Sequence, residues 1–217
     1  MPGPSRRTAR SVSCSDAGVK TAVVAVHYQN DVLHPDGKIR AGLESDDPNR
    51  DILIRNARRL LAGARAQDIP VVSARIAFRP RYRGHVANSP MLSAVVGSGA
   101  LVDGTWGAEF HPQLKPRRGE LVVTHSRVNA FYGSDLEPVL RSLGTRRLVV
   151  AGLATHSAVE HTARHAADMG YEVFVAADAC AAADPELHNA SLRTLAFHVY
   201  RVATVDEILG ELGGVRD

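Results

Sequence analysis

The feature that most limits what this chain can fold into is its alternation of short valine-rich runs with amphipathic stretches. Six runs read as strands, at residues 21–27, 70–75, 120–125, 146–152, 171–177 and 200–204. Most are continuously apolar instead of alternating, the pattern of strands covered on both faces and hence of a parallel sheet. Between them, residues 49–67, 134–144, 155–170, 185–198 and 205–213 carry apolar side chains at helical spacing. Alternating β and α elements of this kind predict a three-layer α/β/α domain. Its core would be a mostly parallel six-stranded sheet, Rossmann-like, with right-handed crossovers.

Composition narrows the class. At 217 residues, 45% hydrophobic and 23% charged, the chain suits one globular domain with a substantial core. The opening 18 residues are rich in Pro, Ser, Gly and Arg and lack the apolar segment of a secretory signal, so residues 1–18 read as a flexible tail and 19–217 as the domain. No apolar run approaches the roughly 18 to 20 residues of a membrane span. The formal charge is +3, the arginines are scattered, and Lys20, Lys38 and Lys115 are the only lysines, which argues against a nucleic-acid partner. Cys14 and Cys180 give neither a disulfide framework nor a zinc spacing, so a reducing cytoplasm is the expected compartment. Cys180, among small apolar neighbours, reads as a packed residue and not as a nucleophile.

Two irregular segments, 28–48 and 76–118, are too long for plain connectors and are expected to cover a site. In open α/β sheets, sites form at the carboxyl ends of the strands. That rule selects His27 at the end of the first strand, His125 at the end of the third, and the turn Thr155 to Ala158 after the fourth, where His156 sits.

Four segments, VVAVHYQNDVLHPDG, GTWGAEFHPQLKPRRGELVVTHSRVNAFYGSDLEPVLRSLG, VAGLATHSAVEHTARHAADMGYEV and DACAAADPELHNASL, together resemble the isochorismatase-like hydrolases, which include nicotinamidases and other cysteine amidohydrolases. The resemblance covers nearly all of the chain after Lys20. It implies the isochorismatase-like α/β fold, a homo-oligomer (dimer or tetramer), and a non-proline cis peptide around Leu153 and Ala154. It also implies an Asp at the first strand end, a Lys at the third and a nucleophilic Cys at the helix after G-x-A-T. His27, His125 and Ala158 stand at those positions. With no carboxylate, ammonium or thiol there, thioester chemistry of the nicotinamidase kind is not supported. Isochorismatases that lack the Cys keep the Asp and Lys, so the chain departs from them too.

His27 is the first candidate for general acid or base, with His125 as its partner across the pocket. Two close imidazoles disfavour each other's protonation, and their titrations are expected to couple. His156 lies at a positive helix end, which favours its neutral form. Backbone N–H groups around Ala154 and Ala158 favour developing negative charge with or without a nucleophile. Tyr28, Asn129, Phe131 and Trp106 are candidate pocket-lining residues. Arg79, Arg81 and Arg127, with Arg75 and Arg83 nearby, favour an anionic small molecule. Asp31, His34 and Asp36 read as loop anchors, and His161 and His165 as a solvated helix face.

No cofactor is expected, and a metal held by His27, His125 and His156 stands as an alternative. The leading reading is an enzyme acting on a small anionic molecule by non-covalent acid–base chemistry: hydrolysis, hydration, elimination or rearrangement. A silent relative that serves as a ligand-binding or scaffold protein is the competing one.

Overall fold

The computed structural model describes residues 19–40, 43 and 46–213. The tail assigned to residues 1–18, with Cys14, lies outside them. All six strands form: β1 (Thr21–Val26), β2 (Val71–Ile76), β3 (Leu121–His125), β4 (Arg147–Leu153), β5 (Glu172–Ala181) and β6 (Arg201–Ala203). They make one sheet in the order β3-β2-β1-β4-β5-β6, and every pair is parallel. β1 and β4 are buried along nearly their whole length, as their unbroken apolar sequences require.

Seven helices accompany the sheet: α1 (Asn30–Leu33), α2 (Asn49–Ala66), α3 (Pro90–Ser98), α4 (Leu136–Ser142), α5 (Glu160–Asp168), α6 (Pro185–Leu195) and α7 (Val205–Gly213). The α2 stripe Leu53, Ala57, Leu60, Leu61 and Ala64 is buried at helical spacing. The chain moves one way along the sheet from β1 to β2 and the other way from β4 to β5. Right-handed crossovers therefore put α2 and α5 on opposite faces and open a crevice above the β1–β4 pair.

Two details differ from the sequence expectation. β5 continues to Ala181 because its ladder with β4 is irregular: Val150 pairs with Val175, but Gly152 pairs with Cys180. The groups displaced from the ladder are met by side chains, as burial demands. The Tyr28 hydroxyl donates to the Ala179 carbonyl at 2.6 Å, Asn56 Nδ2 donates to the Asp178 carbonyl at 3.0 Å, and Asp178 Oδ1 accepts from the Val205 N–H at 2.8 Å. The second is that both segments read as irregular hold a helix, α1 in the first and the longer α3 in the second. The ends of α3 carry recognisable signals, since Ser89 caps the Leu92 N–H, Pro90 opens the first turn and Gly99 closes the last in the left-handed region.

The two covering segments are fastened together by Asp31, which is buried. Its carboxylate accepts from the Leu101 N–H at 2.7 Å and the Lys38 N–H at 3.2 Å. That is the loop-anchoring role expected of it.

At the crevice β4 lies very close to β1. Gly152 has φ +146°, and a Cβ there would stand 2.0 Å from the Val26 carbonyl oxygen. Gly152→Ala is therefore expected to lower stability by about 3 kcal/mol or more, read as a reduced urea midpoint. A loss below about 1 kcal/mol would show that the strands can separate without cost.

Candidate functional site at the carboxyl edge of the sheet

The site begins with the backbone of His27. Its N–H still belongs to the sheet, donating to the Ala74 carbonyl at 2.9 Å, but its φ of +56° turns the chain sharply as β1 ends. His is among the non-glycine residues that tolerate this region best. β2 lies between β1 and β3, so a ring from His27 can meet one from His125 only over the end of β2. They do meet: the two Nε2 atoms are 2.9 Å apart and the ring planes 24° from parallel. Both residues are buried, His27 at 5% exposure and His125 at 2%. Gln29, fully buried, fixes the end of β2 beneath them by donating to the Ile76 and Ala108 carbonyls and accepting from the Ile76 N–H.

The proton positions follow from the partners. His125 Nδ1 lies 2.8 Å from the Arg127 carbonyl, which can only accept, so Nδ1 carries the hydrogen. When both rings are neutral, His125 Nε2 is bare and His27 Nε2–H donates to it. The lone pair of His27 is then on Nδ1. Burial holds His27 well below the usual histidine range, and the neighbouring His125 adds to the effect. Hydrogen bonding to the Leu153 backbone favours the charged form of His27 and offsets part of it. Burial likewise lowers His125 to about 4, against the Arg127 hydrogen bond. These buried imidazoles are neutral at pH 7.

His27 opens onto a chamber of about 210 Å³ with Leu153, Ala154, His156, Ser157 and Ala158 along its β4 side. Val32, Ile39, Met91, Val95, Leu101 and Val128 close the rest. The chamber sits at the crevice where the winding reverses, and its lid is apolar. The 154 end carries the expected cis peptide, Leu153–Ala154. Residues 155–159 form a widened π turn before α5 begins. That turn is held from outside: Thr155 Oγ1 hydrogen-bonds His188 Nδ1 at 2.8 Å, and Ser191 Oγ donates to the Thr155 carbonyl and to Glu160.

The remaining sequence candidates divide sharply. Ala154, His156 and Ala158 line the chamber with His27, although His156 is exposed at its rim. His125 stands behind His27 and lines a different cavity together with Arg79. Tyr28 belongs to the core, its hydroxyl spent on β5. Asn129 is a loop clamp, accepting from the Phe131 N–H and donating to the His161 carbonyl. The Phe131 ring packs on His165, so that helix face is partly covered instead of simply solvated. Trp106 is 46% exposed and sits edge-on to His34. Arg127 secures the loop before α3 through the Val86 carbonyl and Asn88. Arg81 is exposed and lines neither cavity.

The three-histidine metal arrangement is not assembled. His27 and His125 are bonded to each other while His156 lies at the rim, and no group of three His, Cys, Asp or Glu side chains converges among the described residues. Cys180 is buried with its thiol pushed up to about 12, chiefly by burial, which makes it a packing residue.

Sequence reasoning missed the apolar lid and, although it selected the Thr155 to Ala158 turn, gave Ser157 no role. The helix caps around α3 would have placed Met91 and Val95 on one element, but nothing local shows that this element faces His27.

Comparison with known proteins agrees with the fold. The isochorismatase domain model matches residues 21–207. An uncharacterized isochorismatase family protein, YecD of Escherichia coli O157:H7, is 33% identical over 163 residues, covering 75% of this chain and 84% of its own. The ureidoacrylate amidohydrolase RutB of Pseudomonas savastanoi pv. phaseolicola is 31% identical over 206 residues, covering 87% of this chain and 82% of its own. Among solved structures, the N-carbamoylsarcosine amidase of Thermoplasma acidophilum superposes with a TM-score of 0.68 at 25% identity, covering 87% of this chain and 98% of that one. The fold and these similarities make the chain a member of the isochorismatase family of hydrolases.

Proposed function

We propose that this protein hydrolyses a small molecule without a covalent intermediate, using His27 as the general base and His125 as its proton partner. The observation that carries this reading is the 2.9 Å Nε2–Nε2 contact between two buried histidines, one of which lines a chamber with Ala158, the residue standing where the family resemblance implies a nucleophile. In the proposed step His27 Nδ1 takes a proton from water and the water oxygen adds to the electrophilic carbon. The charge left on His27 is shared with His125 through the Nε2 bridge, and the proton then returns to the leaving group. Burial makes the pair weakly basic, and His125 at about 4 lies near the ordinary aspartate value of about 3.9. The histidines thus offer carboxylate-like basicity in a neutral form.

The chamber selects the substrate. Its apolar lid suits a molecule with an apolar body, and its polar groups lie together along the β4 side. The anionic substrate expected from the arginines would here find its donors at the start of the 155–159 turn and in the Ser157 hydroxyl, since Arg79 lines the other cavity and Arg81 lines neither. Ureido and carbamoyl compounds related to those named for the relatives, and vinyl ethers such as isochorismate, form the first panel to assay.

On the substrate so identified, His27→Asn should lower kcat by about 100-fold or more with KM within a few-fold, because an amide cannot exchange a proton near neutral pH. Unchanged turnover would remove His27 from the mechanism. Iodoacetamide should not inhibit, and intact-mass spectra during turnover should show no adduct. A covalent adduct on Ser157 or Cys180 would replace the proposed step with a covalent one.

The pH profile has a definite sign. A base works when unprotonated, and a lowered pKa keeps it unprotonated further into acid. The acid limb of kcat/KM should therefore lie clearly below 6.5, the usual histidine value. A limb at 6.5 or above would contradict a buried neutral pair.

A further inference from the structure

The wall formed by His27 and His125 has a second side. Behind His125 lies an open cavity of about 440 Å³ that shares no lining residue with the apolar chamber. Its character is the opposite of the chamber's. Arg79 and Arg83 border it, and neither guanidinium has an ion-pair or hydrogen-bond partner among the described residues. The acid at its edge, Asp103, is engaged by Arg75 at 3.0 Å, so it leaves the two arginines uncompensated. His85 also lines this cavity. Its Nε2 is buried and has no hydrogen-bond partner among the described residues. Ser126, whose hydroxyl makes no hydrogen bond among the described residues, completes the set.

We propose that this cavity is a binding site for a small oxyanion, the carboxylate or phosphoryl group of a ligand distinct from the molecule held in the apolar chamber. Two planar guanidiniums supply paired N–H donors matched to a carboxylate or phosphate edge, and the Ser126 hydroxyl adds a single hydrogen bond. The lid loop is built to present these groups: Arg81 and Tyr82 take left-handed backbone angles, and the Tyr82 hydroxyl donates to the Ala100 carbonyl at 2.7 Å. The bend sends Arg79 and Arg83 into the cavity and leaves Arg81 outside it. The site stands on its own donors and holds whether or not His27 moves protons.

The test is calorimetric titration of the full chain, without substrate, with sodium sulfate and sodium acetate at constant ionic strength, chloride serving as the control anion. Saturable one-to-one binding of sulfate or acetate is expected, weakened about tenfold or more in Arg79→Gln/Arg83→Gln. Tighter sulfate would assign a phosphoryl-type ligand and tighter acetate a carboxylate. Arg81→Gln, the same charge change in the same loop but outside the cavity, should bind as the unaltered protein does. Thermal melts of all variants show that they remain folded. Absence of saturable binding, or equal weakening by Arg81→Gln and the double substitution, would overturn the site and leave only diffuse attraction to a basic loop.

Discussion

The close approach of β4 to β1 is the constraint on which the rest of the site depends. Six consecutive residues of β1 pair with β4, and Gly152 allows the last of them, Val26, to lie against β4 with no side chain between. Because the sheet winds outward in both directions from this pair, the helices and loops diverge above it and leave a crevice. β1 delivers His27 to one side of that crevice and β4 delivers the Leu153–Ala158 segment to the other. A wider separation of the two strands would take His27 away from the turn it faces.

The second level of organisation is electrostatic. A charged base and its counterion would carry a heavy desolvation cost in a chamber closed by valine, leucine and methionine. Two neutral imidazoles avoid it. His125 is still aimed by its hydrogen bond to the Arg127 carbonyl and His27 by its Nε2 contact with His125, so the pair is preorganised without a net charge. The polar surface is moved to the far side of His125, where the lid arginines meet solvent. The protein thus has an apolar and a cationic compartment separated by one pair of side chains.

Much of this was legible in the sequence. The valine-rich runs marked all six strands within a few residues, and the strand-end rule selected His27, His125 and the 155–158 turn. The family resemblance supplied the cis peptide. What stayed hidden depends on where side chains point. Tyr28 is next to His27 in sequence, yet its hydroxyl serves a displaced carbonyl of β5, an irregularity with no local signature. Arg79 and Arg81 look equivalent in the chain, but the left-handed bend at Arg81 separates them. The apolar lid lay in a segment whose lack of period concealed α3, although Ser89, Pro90 and Gly99 marked both its ends.

The central claim is that His27 and His125 form one neutral hydrogen-bonded unit at pH 7. Nitrogen-15 NMR of the imidazole rings, titrated with pH and assigned with His27→Asn and His125→Asn, tests it most directly. The account predicts His125 protonated on Nδ1 and His27 on Nε2 at pH 7, with titration that is coupled and lies well below 6.5. Two independent titrations near 6.5, or a His125 protonated on Nε2 alone, would contradict it.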